Sequence, residues 1–333
     1  VELEEPITVE IFPNQQDFAI RTFGLPGGDG FLGVCFGRVI TANSPASQAD
    51  SPANWKSVLW HEYCHVVTLQ KTSNRMPRWL SEGISVYEER QRDPTWGQSM
   101  TPQYREMILG DALTPVSQLS AAFLSPPSPG HLQFAYFESS LVVEFLIEQY
   151  GFETLLKILD DLNVGMPINE SLRRYAGSLE QLDREFAAYA RSAAEKLGAK
   201  ADWSREQLPE TDDLATLAAW SREHPDNYWG LQSHAAALIR AKQWEAARQP
   251  LLRMAELHPE DGSNGGVYAL LARIHRELGE TEAETAVLNK LAQRSSNAAD
   301  ALLRLMALAE QEEQWEPLSA LAQKMLGINL LLP

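Results

Sequence analysis

The sequence predicts an α+β domain over residues 1–200, followed by an all-α array of helix pairs over residues 201–333. Three observations predict it. Apolar residues alternate in parts of the first fifty positions, as in half-buried strands, and from Pro52 to Gly198 their spacing turns helical. Beyond residue 200, Ala- and Leu-rich helical stretches recur at intervals of roughly 34 to 37 residues.

The first fifty residues read as β-rich. Ile7 to Phe12 alternates, and Phe31 to Ala42 contains the extended run GVCFGRVIT, with the turn-forming LPGGDG between them. Residues 33–41 read as an extended strand, and the pattern leaves open whether it is an exposed edge, able to pair with an extended peptide, or an interior strand. Ser51 to Gln70 then reads as one helix, with Ser51 as N-cap and Pro52 at the first helical position. Trp55, Val58, Leu59, Val66, Val67 and Leu69 give this helix a wide apolar surface. Pro77 can open a second helix. Loops are expected at 93–100 and at SPPSPG, 125–130, the latter a candidate lid or a rigid spacer. A long helix ends at Gly151, another lies near 152–161, and Ser178 with Gln181 reads as a capping box for a helix reaching Gly198.

Inside the first of these helices His61, Glu62 and His65 stand as HEYCH, the pattern of a zinc hydrolase. Helical residues four apart share a face about 6 Å apart along the axis, so both imidazoles can reach one metal ion. Glu62 is then offset toward the open side of the metal, where a carboxylate can take a proton from water activated by zinc. A catalytic zinc site needs three protein ligands. Glu82, in the first turns of the next helix, is the natural candidate for the third.

Trp79, Leu80, Glu82, Gly83, Tyr87 and Glu89 fall in the order and spacing of the WLxEGxxxYxE segment of gluzincin metallopeptidases, and the chain resembles that thermolysin-like group. The resemblance implies a zinc hydrolase domain with a small mixed β-sheet and a helical lobe. It implies that Glu82 binds zinc and that Glu89, seven residues on, hydrogen-bonds a zinc-ligating histidine. Seven residues apart on a helix is one face, and metal-bound imidazoles commonly donate their second N–H to a carboxylate. A solvated surface charge beside Glu88 is the alternative for Glu89. The stretch from His65 to Glu82 is shorter than in the large gluzincin aminopeptidases and looks more like compact peptidase MA-like domains. The GxMEN amine anchor of those aminopeptidases does not occur, so aminopeptidase specificity is not expected.

Peptide hydrolysis also needs a donor for the developing oxyanion. HLQFAYFESSLVVEFLIEQYG resembles the helix that follows the active site in peptidase MA-like domains, which implies that role for Tyr136; an ordinary core aromatic between Phe134 and Phe137 is the alternative. His131, just ahead of it, could touch substrate or simply be exposed. Cys35 and Cys64 are expected to be buried thiols rather than ligands, because a cysteine among four ligands would close the site.

KQWEAARQPLLRMAELHPED matches the second helix of a tetratricopeptide repeat, with Ala247, Leu251, Met254, Leu257 and Pro259 at its small, large and terminating positions. ELGETEAETAVLNKL and EEQWEPLSALAQKML are degenerate copies, and LATLAAWSREHPDN reads as the last helix of a partial unit. Stacked, such pairs form a solenoid whose inner face can bind a peptide or protein partner, a plain helical bundle being the alternative. The ending NLLLP, without a polar capping helix, suggests a native protein that continues, and the start at Val1 leaves room for a removed leader.

The chain has 333 residues, 44% of them apolar, and a formal net charge of −17 without a basic block, which argues against nucleic-acid and anionic-membrane partners. No run reaches transmembrane length. Two cysteines leave the compartment open. The expectation is a zinc-dependent metallopeptidase using one Zn2+ held by His61, His65 and Glu82, with Glu62 as base and Tyr136 at the oxyanion. The rival is an interaction scaffold whose first domain is an inactive or autoinhibited relic. Substrate, mode of cleavage and oligomeric state are not legible.

Overall fold

The computed structural model describes residues 5–28, 30–48 and 53–328. The chain divides into two compact units, one running to Glu195 and the other over Lys196–Ile328.

The first unit opens with a three-stranded mixed sheet of β1 (Thr8–Phe12), β2 (Gly33–Phe36) and β3 (Val39–Asn43) in the order β1-β3-β2. β1 runs parallel to β3, pairing Val9 with Ile40, and β2 returns antiparallel, pairing Cys35 with the same residue. The run 33–41, read as one strand, is thus a hairpin of two: β2 is an edge of the sheet, and β3 is its interior strand, paired on both sides. The reading of this region as β-rich is corrected at one place: α1 (Gln15–Phe23) lies between β1 and β2. Asn14 caps it, accepting from the Asp17 backbone N–H at 2.8 Å, and Gly24 ends it in the left-handed region at φ 75°. Nine residues are too few for helical periodicity to stand out, but Phe18 and Ala19 are fully buried.

α2 (Trp55–Lys71) carries HEYCH. Its N-cap is Asn54, whose side chain accepts from the Lys56 N–H, so the helix opens later than the sequence pattern suggested; Ser51 and Pro52 lie outside the described residues. It ends where Ser73 turns left-handed and the Asn74 N–H reaches back to the Leu69 carbonyl at 2.8 Å. α3 (Arg78–Arg92) follows Pro77, whose extended backbone serves as the cap position. After the loop come α4 (Pro102–Leu109), a 3-10 turn at Val116–Gln118, α5 (Ser120–Leu124) and α6 (Pro129–Tyr150). Pro129 and Gly130 belong to the first turn of α6, capped by Ser128, so the loop expected over 125–130 is shorter than its Pro-rich sequence implied. α7 (Phe152–Asn163), α8 (Ile168–Ala176) and α9 (Leu179–Lys196) complete the unit. Ser178 accepts from the Gln181 N–H at 3.1 Å, but the Gln181 amide turns to Glu185, so the capping box is half formed.

The core gathers around α3 and α6, with Trp79, Leu80, Phe134, Val142, Phe145 and Phe186 all but inaccessible. The two helices approach closely because Gly83 has no side chain: a Cβ there would lie 2.6 Å from the Ser139 carbonyl oxygen. The glycine of WLSEG is therefore a packing requirement as well as a motif letter.

The second unit is a chain of helices, α10 (Leu214–Glu223), α11 (Tyr228–Arg240), α12 (Trp244–Leu257), α13 (Val267–Glu277), α14 (Thr281–Arg294), α15 (Ala299–Gln311) and α16 (Trp315–Met325). Three of its turns are alike. Lys242, Gly279 and Glu313 each take a left-handed φ, of 55°, 72° and 55°. The next residue in each case, Gln243, Glu280 or Gln314, donates its N–H to Leu238, His275 or Ala309 at 2.8–2.9 Å. The second helix of each pair then starts at Trp244, Thr281 or Trp315. Between pairs the buried Leu251, Met254, Leu271, Ile274, Leu288 and Leu305 form one continuous core.

Candidate metal centre

α2 and α3 pack side by side, and the register of each decides what faces the other. On α2, Ser57, His61 and His65 follow at intervals of four and share a stripe; on α3, Arg78, Glu82 and Glu89 share another. Where the stripes meet, His61 Nε2 lies 3.2 Å and His65 Nε2 3.3 Å from the same oxygen, Glu82 Oε2. The ligand atoms of His61, His65 and Glu82 all lie within 4.8 Å of one another. The imidazole planes stand at 81° with ring centres 4.7 Å apart, so both Nε2 atoms point into one space without stacking.

The outer nitrogens of the rings are held. His61 Nδ1 lies 2.6 Å from Glu89 Oε1, and Glu89 Oε2 accepts from the Ser57 hydroxyl at 2.5 Å. His65 Nδ1 meets the Ser81 hydroxyl at 2.8 Å and Ser85 Oγ at 3.3 Å, while Ser85 Oγ also donates to the His61 carbonyl. Glu89 is 7% exposed, which removes the reading of a solvated surface charge. A ring whose Nδ1–H is pinned to a carboxylate presents its Nε2 lone pair to the site in a fixed direction. Glu89→Gln should therefore weaken metal binding by about 10- to 100-fold while leaving the fold intact. Competition against a chromophoric chelator measures this, and an unchanged affinity would remove Glu89 from the site.

Charge in the centre is arranged for a cation. Burial works against the Glu82 carboxylate, yet hydrogen bonds from His61 and His65 hold its pKa well below the usual range. Burial likewise opposes a charged His61, but Glu82 and Glu89 together raise its pKa well above the ordinary value. Two carboxylates facing one imidazole hold positive charge at that spot, and a bound divalent cation would answer the same demand.

Glu62 is separate from this triad. Its carboxyl is 6% exposed, feels the charges of His61, His65 and Glu82, and among the described residues its Oε2 has no hydrogen-bond partner. Burial raises its pKa, with the two histidines pulling the other way. The edge strand makes room for it: a Cβ on Gly33 would come within 2.9 Å of Glu62 Cγ and 3.0 Å of Oε1. Two imidazoles and one carboxylate converging, beside a second carboxylate with an orphaned buried oxygen, fit a catalytic rather than a closed structural zinc site.

Tyr136, on α6, is half-buried, packs edge-on against Phe123 at 5.2 Å, and accepts a hydrogen bond from Arg78 Nη2 at 2.8 Å. Arg78 also donates from Nε to Glu82 Oε1 at 3.2 Å, so Tyr136 joins the centre through it. His131 does not join it. Its ring and backbone N–H both engage Ser128 at the start of α6. Cys35 and Cys64 are free and lie outside the His–His–Glu group; Cys64 is buried and Cys35 partly so, and burial pushes both thiols up to about 12. Ser57, Ser81, Ser85 and Arg78 were not singled out from sequence. The signal was present as helical spacing: Ser57 stands four residues before His61, Ser81 and Ser85 are four apart, and Arg78 stands four before Glu82.

Among the described residues no helix is long and apolar enough to cross a membrane. No curated protein and no solved structure matches the chain significantly. The family model described as Peptidase MA superfamily matches residues 1–192, which spans the sheet, HEYCH, the WLSEG helix and Tyr136, and the chain belongs to that superfamily.

Proposed function

We propose that this chain is a zinc-dependent metallopeptidase of gluzincin type, with a catalytic domain over residues 1–200 and a tetratricopeptide-like domain over 201–333 that binds substrate or a protein partner. The observation that carries the reading is the meeting of the His61, His65 and Glu82 ligand atoms within 4.8 Å, with the unpartnered Glu62 carboxylate beside them. His61, His65 and Glu82 would hold the ion. Zinc, when bound, supplies a Lewis acid that polarises a carbonyl and brings water within reach of a carboxylate base.

The chain's own residues do the rest. Glu62 takes the proton of the attacking water on its free carboxylate oxygen and delivers it to the leaving amine, so one buried group serves both halves of the reaction. Its low exposure excludes bulk solvent from that transfer. Tyr136 donates its phenolic proton toward the oxygen on which charge develops. Ser57, Glu89, Ser81 and Ser85 hold the two imidazoles in place. The three like-built turns of the second unit and their spacing support the tetratricopeptide-like reading.

The test is digestion of a peptide library by zinc-loaded protein, read by mass spectrometry. Cleavage that stops on chelation and returns with zinc is expected. Stoichiometric zinc without any cleavage would instead favour a binding scaffold, and failure to take up zinc after supplementation would overturn the reading at its first step.

A further inference from the structure

Arg78 occupies the first position of α3, one helical turn before Glu82, and reaches across to α6. Its Nε donates to Glu82 Oε1 at 3.2 Å and its Nη2 to Tyr136 Oη at 2.8 Å. Its guanidinium lies over the Phe123 ring at 5.2 Å and the Tyr136 ring at 5.8 Å, contacts that help to hold it in position. A half-exposed arginine that makes one surface ion pair would be unremarked. This one bridges, through two different nitrogens, a side chain of the His–His–Glu group and the Tyr136 phenol.

Two consequences follow from donor and acceptor chemistry. Guanidinium has no acceptor, so in its contact with Tyr136 the phenolic oxygen must accept. The tyrosine's single proton is thereby directed away from Arg78, and among the described residues no acceptor pairs with it. Likewise Arg78 occupies Glu82 Oε1 while Oε2 faces both imidazoles, so the carboxylate offers one oxygen inward and has the other tied back.

We propose that Arg78 is a positioning residue of the peptidase site, which sets the direction of the Tyr136 proton and ties that hydroxyl to the outer oxygen of Glu82, Oε1, leaving Oε2 to the imidazoles. The proposal rests on the peptidase reading above but concerns a residue that acts through Tyr136 rather than on substrate. A lysine in its place would keep the charge yet lose the planar fork that spans two acceptors on two helices.

The experiment is a double-mutant cycle with a structural readout beside it. Tyr136→Phe should lower kcat by about 100-fold, the scale of losing one oxyanion donor. Arg78→Ala should lower kcat by about tenfold with KM and zinc affinity changed less than about threefold, and in the Tyr136→Phe background it should cost less than about threefold further. Arg78→Lys should recover little, whereas added guanidine should restore part of the Arg78→Ala loss but nothing in the double variant. Ultraviolet resonance Raman of zinc-free protein, taken as the difference between wild type and Tyr136→Phe, should show Tyr136 as a hydrogen-bond acceptor in wild type and not in Arg78→Ala. Full additivity of the two substitutions, or a Tyr136 signal unmoved by Arg78→Ala, would overturn the proposal while leaving the peptidase reading standing. A Tyr136→Phe variant with undiminished kcat would overturn both the oxyanion role and this inference. The Raman result decides the Arg78–Tyr136 polarity even if no peptide is cleaved.

Discussion

Glu62→Gln is expected to reduce peptide cleavage by about 10³-fold or more while zinc content and melting temperature stay near those of the wild type. The two halves of this expectation come from separate features. Glu62 is not among the three side chains whose ligand atoms converge, so its replacement should leave metal uptake alone. Glutamine is nearly isosteric and neutral, and it enters a buried position where burial already disfavours the charged carboxylate and Oε2 has no partner, so the fold should not suffer. What glutamine cannot do is accept a proton at neutral pH. Cleavage rates from single-turnover assays, beside metal analysis of the same preparations, check both halves. A variant that keeps zinc and keeps wild-type rates would mean that the proton goes elsewhere. Restoring a shorter carboxylate with Glu62→Asp should recover only part of the rate, since the edge strand at Gly33 is built around the full length of the glutamate side chain.

The site was legible in sequence to the extent that it follows helix geometry. His61 and His65 at four residues, and Glu82 and Glu89 at seven, each define one helix face, and in the structure the two helices pack along those faces so that the side chains meet. The parts that carry no distinctive sequence signal are of common residue types. Ser57, Ser81 and Ser85 look like ordinary helix-surface serines until the neighbouring imidazoles are in view, and Arg78 looks like a charge at a helix start. Fold followed the same division. The long helices and the strands at 8–12 and 33–43 announce themselves by period, whereas α1 is too short to do so and is fixed by Asn14, Gly24 and the burial of Phe18. The start of α2 is a place where pattern alone does not decide, because Ser51 and Asn54 are both good N-cap residues by type; Asn54 accepts from the Lys56 N–H, and the helix begins at Trp55. Gly83 illustrates the converse, a residue recognised as part of a motif whose physical reason, contact with the Ser139 carbonyl, lies fifty-six positions away.

Glu82→Ala should abolish stoichiometric zinc binding and with it the metal-dependent part of the protein's stability. In the wild type the ion binds the folded chain and not the separated ligands of an unfolded one, so zinc at about 100 times its dissociation constant should add about 2.7 kcal/mol. For a unit of this size that corresponds to a rise in Tm of roughly 5–10 °C, reversed by chelator. The variant should show no such rise. The same substitution should change the metal-free protein in a direction of its own. Without Glu82, Arg78 loses one of its two acceptors, and the His61 and His65 Nε2 atoms lose the carboxylate that now answers both. His61 would retain Glu89, while His65 would keep only hydroxyl partners, so the loss falls unequally on the two rings. Histidine proton-exchange spectra should therefore show His65 perturbed more than His61. Calorimetric melting with and without zinc, in wild type and Glu82→Ala, separates these effects. If zinc stabilises the two proteins equally, the ion binds elsewhere, and the convergence of α2 and α3 is an ion-pair network that holds the helices together rather than a metal centre. If zinc stabilises only the wild type and Glu89→Gln shows an intermediate response, then affinity tracks the order in which the side chains stand from the ion: Glu82 touching it and Glu89 acting through His61.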